Sequence, residues 1–310
     1  MSSIERALEL AERGRGKVED HPLVGAVLVR GDEVVGEGWY EYENVDHAET
    51  IALAQARERA RGATLYVTLE PCNHTGRTPP CSEAVIAGGV ACVVVGARDP
   101  NPKAAGGIER LRAAGVEVEL LDSWRARVQN EAWRTWKSLR RPFVTYKVAV
   151  SLDGRVVVPG RRWVSGEESR RRVHELRAMS DAVAVGMGTV RADNPRLDAR
   201  DVDATRQPRR LAFGHGAAEE LEERSGPLED ELAALAADGV QSLLLEGGPT
   251  LATAFLRAGL IDKLLLFVAP VVAGSGPRFI GELDEPVALS HLSAMPSGED
   301  VLLEAYVHVP

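Results

Sequence analysis

The spacing of apolar positions in the first 120 residues alternates between helical and strand-like periods. Ile4, Ala7, Leu8 and Ala11 fall on one face of an amphipathic helix over residues 4–13. The pattern then predicts an antiparallel hairpin, followed by strands that alternate with helices. The predicted strands are 23–29, 34–39, 64–69, 90–96 and 116–121, and the predicted helices are 47–61, 80–88 and 106–114. This alternation predicts an α/β layered domain with a partly parallel sheet.

A second alternating series starts at Phe143, after a polar helical stretch that ends in Arg140-Arg141-Pro142. Its predicted strands are 143–151, 181–186, 240–246, 263–269 and 301–307, and its predicted helices are 166–179, 229–238 and 249–259. Residues 200–228 have weak periodicity. A chain of 310 residues is long enough for two domains. We expect a first domain at 1–122, a helical linker at 123–141 and a second α/β domain at 142–310.

Composition and charge narrow the function classes. The apolar fraction is 45% and the charged fraction 27%, as in a globular protein. A net charge of −9 argues against nucleic-acid binding, which needs a basic face. No apolar run approaches the ~20 residues of a membrane span. Three cysteines suit a reducing compartment. We therefore expect a cytoplasmic protein that binds neither nucleic acid nor membrane.

His47, Cys72 and Cys81 form a candidate metal site in the first domain. His47 begins a predicted helix, Cys72 follows a strand and Cys81 lies at the start of the next helix. One imidazole and two thiolates are three zinc ligands that leave a fourth position for water, as in catalytic zinc sites. Glu49 is close enough to shuttle protons for that water, as expected of a zinc deaminase. A structural zinc site would need a fourth protein ligand, for which His74 is the obvious candidate.

The second domain contains three segments in which strand ends meet glycines and polar residues, at 147–154, 186–197 and 245–251. In the last of these, Gly247-Gly248 joins a strand to a helix. Glycines let the backbone approach a ligand, and a helix start offers free N–H groups to phosphate. Such a turn also needs glycine for structural reasons, so this segment alone supports both interpretations. The Gly-x-Gly-x-x-Gly dinucleotide fingerprint does not follow a first strand.

Taken together, these motifs resemble those of the bifunctional deaminase–reductases of riboflavin biosynthesis. The resemblance covers nearly the whole chain. It is carried by His47-Ala48-Glu49, by the eight residues Asn-His-Thr-Gly-Arg-Thr-Pro-Pro between Cys72 and Cys81, by Asp99-Pro100-Asn101-Pro102 and by the three segments of the second domain. It implies a cytidine-deaminase-like three-layer α/β/α domain followed by a dihydrofolate-reductase-like α/β domain. The family usually has Asn-Pro where this chain has His21-Pro22.

The resemblance implies two reactions on phosphorylated pyrimidines. The first is zinc-dependent hydrolytic deamination of 2,5-diamino-6-ribosylamino-4(3H)-pyrimidinone 5′-phosphate. The second is NADPH-dependent reduction of the ribosyl chain of 5-amino-6-(5-phosphoribosylamino)uracil to a ribityl chain. A homodimer or homotetramer is also implied. Two alternatives stay open: that only one domain is active, or that the chain is a non-catalytic zinc- or nucleotide-binding protein.

Matched residue by residue, the resemblance implies roles for individual side chains. In the first domain they are the proton shuttle Glu49, the Zn²⁺ ligands His47, Cys72 and Cys81, and the substrate neighbour His74. In the second they are the cofactor contacts Ala149, Trp163, Thr189, Asp193, Gly248, Pro249 and Thr250, and the substrate contacts Arg177, Leu197, Arg200 and Glu246. A guanidinium fork matches phosphate oxygens, so Arg177 and Arg200 suit the 5′-phosphate. Lys147 and Asp153 also match the family's sequence pattern at the edge of this site, but we assign them no role.

One segment of the second domain departs from the family pattern. A strand there usually ends in Asp-Ser or Asp-Thr near the cofactor, whereas this chain has Gly214-His215-Gly216. Glycines provide room but no side-chain hydrogen bond. We expect His215 to be a solvated loop residue; the alternative is a contact with the 2′-phosphate of NADPH.

Overall fold

A computed structural model describes residues 2–216 and 220–310. The chain forms two compact units, the first reaching to Leu139 and the second spanning Arg140–Val309. Across these described residues, no helix combines the length and the apolar character needed to cross a membrane.

The first unit is built on a five-stranded sheet with the strand order β2-β1-β3-β4-β5. The strands are β1 (Gly25–Arg30), β2 (Glu33–Trp39), β3 (Thr64–Val67), β4 (Cys92–Val95) and β5 (Glu117–Leu120). β1 is antiparallel to β2 and β3, and β3, β4 and β5 are parallel. The helices are α1 (Ser3–Glu12), α2 (Ala48–Ala56), α3 (Cys81–Ala87), α4 (Gly107–Ala113), α5 (Trp124–Gln129) and α6 (Glu131–Leu139).

Helices cover both faces of this sheet because side chains alternate along β1. Ala26 and Leu28 pack in one core cluster with residues of α2, α3 and α4. Val27 points to the opposite face and packs against Ala7 and Leu10 of α1. The unit therefore has three layers, helix, sheet and helix.

Glycines in β2 let α2 pack directly on the sheet. A Cβ at Gly38 would lie 2.2 Å from the carbonyl oxygen of Ala48, and one at Gly36 would lie 2.2 Å from that of Ala52. No side chain fits in either space, so α2 lies against the strand backbone. This contact fixes the start of α2, where His47 is the N-cap residue.

The second unit contains an eight-stranded sheet with the order β12-β13-β11-β6-β10-β7-β8-β9. The strands are β6 (Phe143–Ser151), β7 (Ala182–Gly186), β8 (Arg209–Phe213), β9 (Glu222–Arg224), β10 (Ser242–Leu245), β11 (Lys263–Ala269), β12 (Ser290–Ser297) and β13 (Asp300–Tyr306). The helices are α7 (Glu167–Met179), α8 (Met187–Asp193), α9 (Leu228–Ala237) and α10 (Pro249–Arg257). The strands from β11 to β9 in this order are parallel, and β13 runs antiparallel to both of its neighbours.

The core of the second unit also has two sides. Leu232 of α9 and Phe255 of α10 pack with Tyr146 on one face of the sheet. Val173 of α7 packs on the other face with Phe267. In open sheets of this kind, ligands bind beyond the carboxyl ends of the parallel strands.

Most predicted elements are confirmed, with ends that agree to within two residues. The helix predicted to run through residue 61 is wrong in its last part. Arg57 has a φ of +52°, which ends α2 at Ala56, and the chain continues as a 3₁₀ turn. The pattern missed α8, β9 and β12. Residues 123–141, expected as a helical linker, form α5 and α6, and both helices lie within the first compact unit.

Candidate active sites

Three metal-binding side chains meet in the first unit. His47 precedes α2, Cys72 follows β3 and Cys81 is the first residue of α3. Nδ1 of His47 lies 3.1 Å from Sγ of Cys81 and 3.6 Å from Sγ of Cys72, and the three ligand atoms all lie within 4.8 Å of one another. Zinc binds nitrogen at ~2.0–2.1 Å and sulfur at ~2.3 Å, so one ion fits among these atoms. The donor set therefore fits zinc.

The surroundings of Cys72 favour the thiolate form that a metal needs. The Cys81 thiol and the His47 ring hydrogen bond to its sulfur, and these contacts lower the pKa of Cys72. The backbone N–H of Cys81, at the start of α3, also donates to this sulfur over 3.4 Å. A helix N-terminus and a neighbouring histidine are common means of stabilising a thiolate.

Glu49 lies in the first turn of α2 and is 3% exposed. Burial raises the pKa of Glu49 to about 7, against the opposing effect of His47. A carboxyl group with this pKa can both accept and release a proton near neutral pH, as a proton shuttle must.

His47, Cys72 and Glu49 line one cavity of about 160 Å³, and Cys81 lies buried behind them. His74 is exposed and lines the same cavity, as expected for a substrate neighbour. The remaining polar or aromatic lining residues are Asp20, His21, Tyr40, Glu70, Asp99, Asn101, Trp133 and Lys137. His21 occupies the position where the family usually has asparagine. The sequence motifs did not single out five of these residues, namely Asp20, Tyr40, Glu70, Trp133 and Lys137.

Glu70 holds the wall of this cavity in place. Its Oε1 accepts hydrogen bonds from the backbone N–H groups of Gly106 and Ile108, at 3.0 and 3.1 Å, and its Oε2 accepts one from Asp99 at 3.2 Å. The loop that contains Asp99 and Asn101 is thereby fixed to the end of β3. Burial raises the pKa of Asp99 to about 6. A Glu-Pro-Cys sequence directly after a strand is the signal that could have identified Glu70.

In the second unit, three charged side chains meet at the carboxyl end of β10. Glu246 follows β10, Lys147 lies on the adjacent β6 and Arg177 on α7. Lys147 Nζ lies 2.9 Å from Oε2 of Glu246, and Arg177 donates to both carboxylate oxygens, at 2.6 and 3.0 Å. Burial acts to raise the pKa of Glu246, but Lys147 and Arg177 outweigh it and lower the pKa to about 2. The carboxylate is therefore charged at neutral pH.

Two helices begin side by side at this end of the sheet. Gly248 is the N-cap residue of α10, which starts with Pro249 and Thr250, and α8 follows β7 next to β10. A Cβ on Gly248 would lie 3.7 Å from Oγ1 of Thr189 in α8. The free N–H groups of α10 and the Thr189 hydroxyl thus lie together, which fits the phosphates of a dinucleotide.

Comparison with known proteins covers both units. The sequence profile of the cytidine and deoxycytidylate deaminase zinc-binding region matches residues 2–97, and that of the RibD C-terminal domain matches residues 142–303. The riboflavin biosynthesis protein RibD of Aquifex aeolicus is 36% identical, with 96% of this chain and 95% of that protein covered. RibD of Escherichia coli is 37% identical, with 88% of each covered. The chain belongs to the RibD family.

Solved RibD structures have the same fold. The Acinetobacter baumannii RibD structure, form 1, is 34% identical with a TM-score of 0.83, covering 98% of this chain and 97% of that one. The Thermotoga maritima structure, described as a diaminohydroxyphosphoribosylaminopyrimidine deaminase/5-amino-6-(5-phosphoribosylamino)uracil reductase, is 32% identical with a TM-score of 0.82 and the same coverage. The predicted fold is confirmed. Like other RibD proteins, the chain is a deaminase and reductase of riboflavin biosynthesis, with zinc and NADPH as cofactors.

The residues that the RibD resemblance implies for the reductase site differ widely in burial, and some of them lie in the core while others lie on the surface. The Leu197 side chain is only 2% exposed and packs in the core, so a substrate contact would run through its main chain, which has a φ of +55°. Arg200 is exposed and pairs with Asp198. Trp163 is 54% exposed. Ala149 is half-buried on β6, and Asp193 is exposed at the end of α8.

Proposed function

We propose that the first unit hydrolyses the ring amine of 2,5-diamino-6-ribosylamino-4(3H)-pyrimidinone 5′-phosphate. We further propose that the second unit reduces the ribosyl chain of 5-amino-6-(5-phosphoribosylamino)uracil with NADPH. The observation that carries the proposal is the meeting of His47, Cys72 and Cys81 beside the buried Glu49. The substrates named for the Thermotoga maritima relative support the choice of compounds.

In the deamination, His47, Cys72 and Cys81 would hold zinc. Bound zinc supplies a Lewis acid that makes water reactive at neutral pH. Glu49 would take up the protons of that water as its oxygen bonds to the ring carbon that bears the amine, and would pass one proton to the adjacent ring nitrogen and one to the amine. The bond between the carbon and the amine breaks, the ring keeps the oxygen as a carbonyl group, and the amine leaves as ammonia. The burial of Glu49 next to the metal ligands keeps bulk water from competing for these protons. His74, exposed at the same cavity, borders the substrate.

In the reduction, NADPH supplies the hydride and the protein supplies orientation and charge. The first turn of α10, with Gly248, Pro249 and Thr250, and Thr189 from α8 would bind cofactor phosphates. The remaining proposed cofactor contacts are Ala149, Trp163 and Asp193, and the proposed substrate contacts are Arg177, Leu197, Arg200 and Glu246. Glu246 is held in its charged form, so it can accept hydrogen bonds from substrate hydroxyl groups.

We also propose a cytoplasmic homodimer or homotetramer. Cys72, Cys81 and Cys92 are all free thiols, which suits a reducing compartment. The edge strand β12 leaves Leu292 69% exposed and Met295 37% exposed, which is consistent with a contact between copies. Sedimentation of the purified protein would give the number of copies.

The deciding experiment measures ammonia release and NADPH oxidation separately on the same purified protein. Both activities are expected, each with its own substrate. Ammonia release alone or NADPH oxidation alone would mean that one domain is inactive. Neither activity, with zinc still bound, would indicate a non-catalytic zinc- or nucleotide-binding protein.

A further inference from the structure

The segment Leu197–Asp201, between α8 and β8, has an unfavourable backbone conformation at both of its ends. Leu197 has a φ of +55° and Asp201 a φ of +60°. Residues with a side chain rarely adopt such angles, and they keep them only where surrounding contacts hold the backbone. Leu197 and Arg200 are both proposed substrate contacts of the reductase. The contacts that hold this segment therefore bear on substrate binding.

Helix α7 connects this segment to the charged end of β10. Arg177 Nη1 donates to the carbonyl oxygen of Asp198 over 3.1 Å, while the same guanidinium holds the Glu246 carboxylate. Three residues earlier on α7, His174 Nδ1 lies 3.1 Å from the Asp198 carbonyl oxygen and 3.4 Å from the backbone nitrogen of Arg200. Arg177 thus joins the segment to Glu246, so the two belong to one site.

Gln207 holds the middle of the segment. Its Oε1 accepts a hydrogen bond from the Ala199 N–H over 2.8 Å, and its Nε2 donates to the Ala199 carbonyl oxygen over 2.7 Å. These two backbone groups belong to the peptide units on either side of Ala199. One side chain therefore fixes the backbone between Asp198 and Arg200. Only a side-chain amide can do this, because a carboxylate has no donor and an aliphatic chain has neither donor nor acceptor.

The burial of Ala199 makes these two bonds matter. Ala199 is 5% exposed, so its N–H and carbonyl groups have little access to water and need partners within the protein. Gln207 is exposed and covers them from the solvent side, eight residues later in the chain. The residues between them, 201–206, are exposed or half-buried and lie outside helices and strands. The effect of Gln207 therefore falls on the backbone of Ala199.

We propose that Gln207 is a positioning residue of the reductase, which holds Leu197–Asp201 in the conformation that binds the substrate. This inference rests on the proposed reduction, in which the Leu197 main chain and Arg200 contact the substrate. Gln207 acts through Ala199 and does not itself touch the substrate. Without its two bonds the segment relaxes toward ordinary backbone angles, and both contacts move. The proposed cofactor contacts in α8 and α10 are not held by Gln207.

The test separates substrate binding from cofactor binding. In Gln207→Leu, the KM for 5-amino-6-(5-phosphoribosylamino)uracil should rise roughly fourfold or more, because each of two neutral hydrogen bonds is worth a factor of about 2 to 10. The kcat, and the Kd for NADPH measured by fluorescence, should change less than about twofold, as expected when only substrate binding is weakened. Gln207→Glu keeps the acceptor for the Ala199 N–H and should give an intermediate rise in KM. Hydrogen exchange across residues 197–201 should be faster in Gln207→Leu.

Gln241→Leu is the matched control, since Gln241 precedes β10 and lies at the opposite end of that strand from Glu246. Its KM, Kd and exchange should match those of the unmutated protein. Faster exchange with an unchanged KM would make Gln207 a structural residue only, and equal rises in the KM and the NADPH Kd would indicate a general loosening of the unit; either result overturns the inference. If Gln207→Leu does not fold, the same measurements on Gln207→Glu decide. If the unmutated protein does not oxidise NADPH with this compound, the proposed reduction itself is wrong.

Discussion

Arg177 and Glu246 form a bidentate ion pair, with Nε of Arg177 2.6 Å from Oε1 of Glu246 and Nη2 3.0 Å from Oε2. Both side chains are largely buried. The resemblance suggested that the Arg177 fork binds a substrate phosphate, but in this structure the fork holds a carboxylate. The immediate effect of Arg177 is therefore to keep Glu246 charged and correctly oriented at the end of β10.

Removing Arg177 should make the reductase sensitive to acid. In the unmutated protein the pKa of Glu246 is about 2, so the group stays ionised at every working pH. In Arg177→Gln only Lys147 opposes the effect of burial, so the pKa of Glu246 rises. We expect kcat/KM for NADPH oxidation to fall as pH is lowered from 8 toward 5 in the variant, with a smaller fall in the unmutated protein.

Arg171→Gln is the matched control for this experiment. Arg171 lies on the same helix and its side chain is 52% exposed. It forms ion pairs with Glu168 and Glu175 of the same helix. Its pH profile should match that of the unmutated protein. Superimposable profiles for Arg177→Gln and Arg171→Gln would show that Arg177 does not set the ionisation of Glu246.

Loss of one thiolate should separate the two activities. Purified protein is expected to hold about one zinc ion per chain, since the three donors and one water complete a tetrahedral site. Cys72→Ser should lose both zinc and deamination, because a serine hydroxyl is a poor zinc ligand. NADPH-dependent reduction of supplied deaminated substrate should remain. Metal analysis with both assays checks this, and metal-free protein that deaminates at full rate would contradict it.

Glu49→Gln tests the proton shuttle while leaving the metal in place. The amide has the shape of the carboxyl group but cannot transfer protons in the same way. General acid–base groups contribute ~10²–10⁴-fold, and one carboxyl group serves several transfers here, so we expect a loss at the upper end. Zinc content should be unchanged. A loss of deamination below tenfold would mean that another group moves the protons.

The sequence was most informative where local chemistry and chain order coincide. His47 and Cys81 each stand at a helix start that follows a strand, so their convergence could be inferred from pattern alone. The position of Lys137 at the deaminase cavity could not be predicted from the sequence. It depends on the packing of α6, which begins next to Asn130, and Asn130 hydrogen bonds to Leu23, 107 residues away in the chain. Such a contact leaves no periodic signal.

The failure to predict strand β12 also has a physical reason. β12 exposes six consecutive residues from His291 to Pro296, so no alternation of apolar and polar positions marks it. It also contains a proline, which favours edge strands. The whole strand is recognisable only through its pairing with β13. β9 is only three residues long and all three are charged, so its sequence shows no strand pattern either.

The second unit should lose much of its stability when Asp262 is removed. Asp262 is 1% exposed and accepts two hydrogen bonds from Arg141, at 2.6 and 2.8 Å, and one from the Val144 N–H at 2.8 Å. Asp262→Ala would leave the Arg141 guanidinium buried without its partner, which costs ~3–5 kcal/mol. We expect a lower Tm for this unit. Arg206→Ala, which removes an exposed ion pair with Asp181, should change the Tm little, and equal shifts would contradict this reasoning.

His215 offers a test of how NADPH is distinguished from NADH. Its side chain is exposed, and its carbonyl oxygen accepts a hydrogen bond from Arg191 Nη2 over 2.9 Å. The structure thus records a backbone contact for this residue, consistent with a solvated loop position. We expect His215→Ala to change the KM values for NADPH and NADH by similar small factors. His308→Ala, which removes another exposed histidine of the same unit, is the control.

The alternative for His215 has a distinct signature. An imidazolium beside the 2′-phosphate is stabilised in its charged form, so it would favour NADPH more strongly as the pH falls toward 6. In that case His215→Ala would raise the KM for NADPH by tenfold or more and leave the KM for NADH unchanged. The pH dependence of the preference would disappear in the same variant. Either result alone would make His215 a phosphate ligand, because a solvated loop residue has no reason to distinguish two cofactors that differ only in that phosphate.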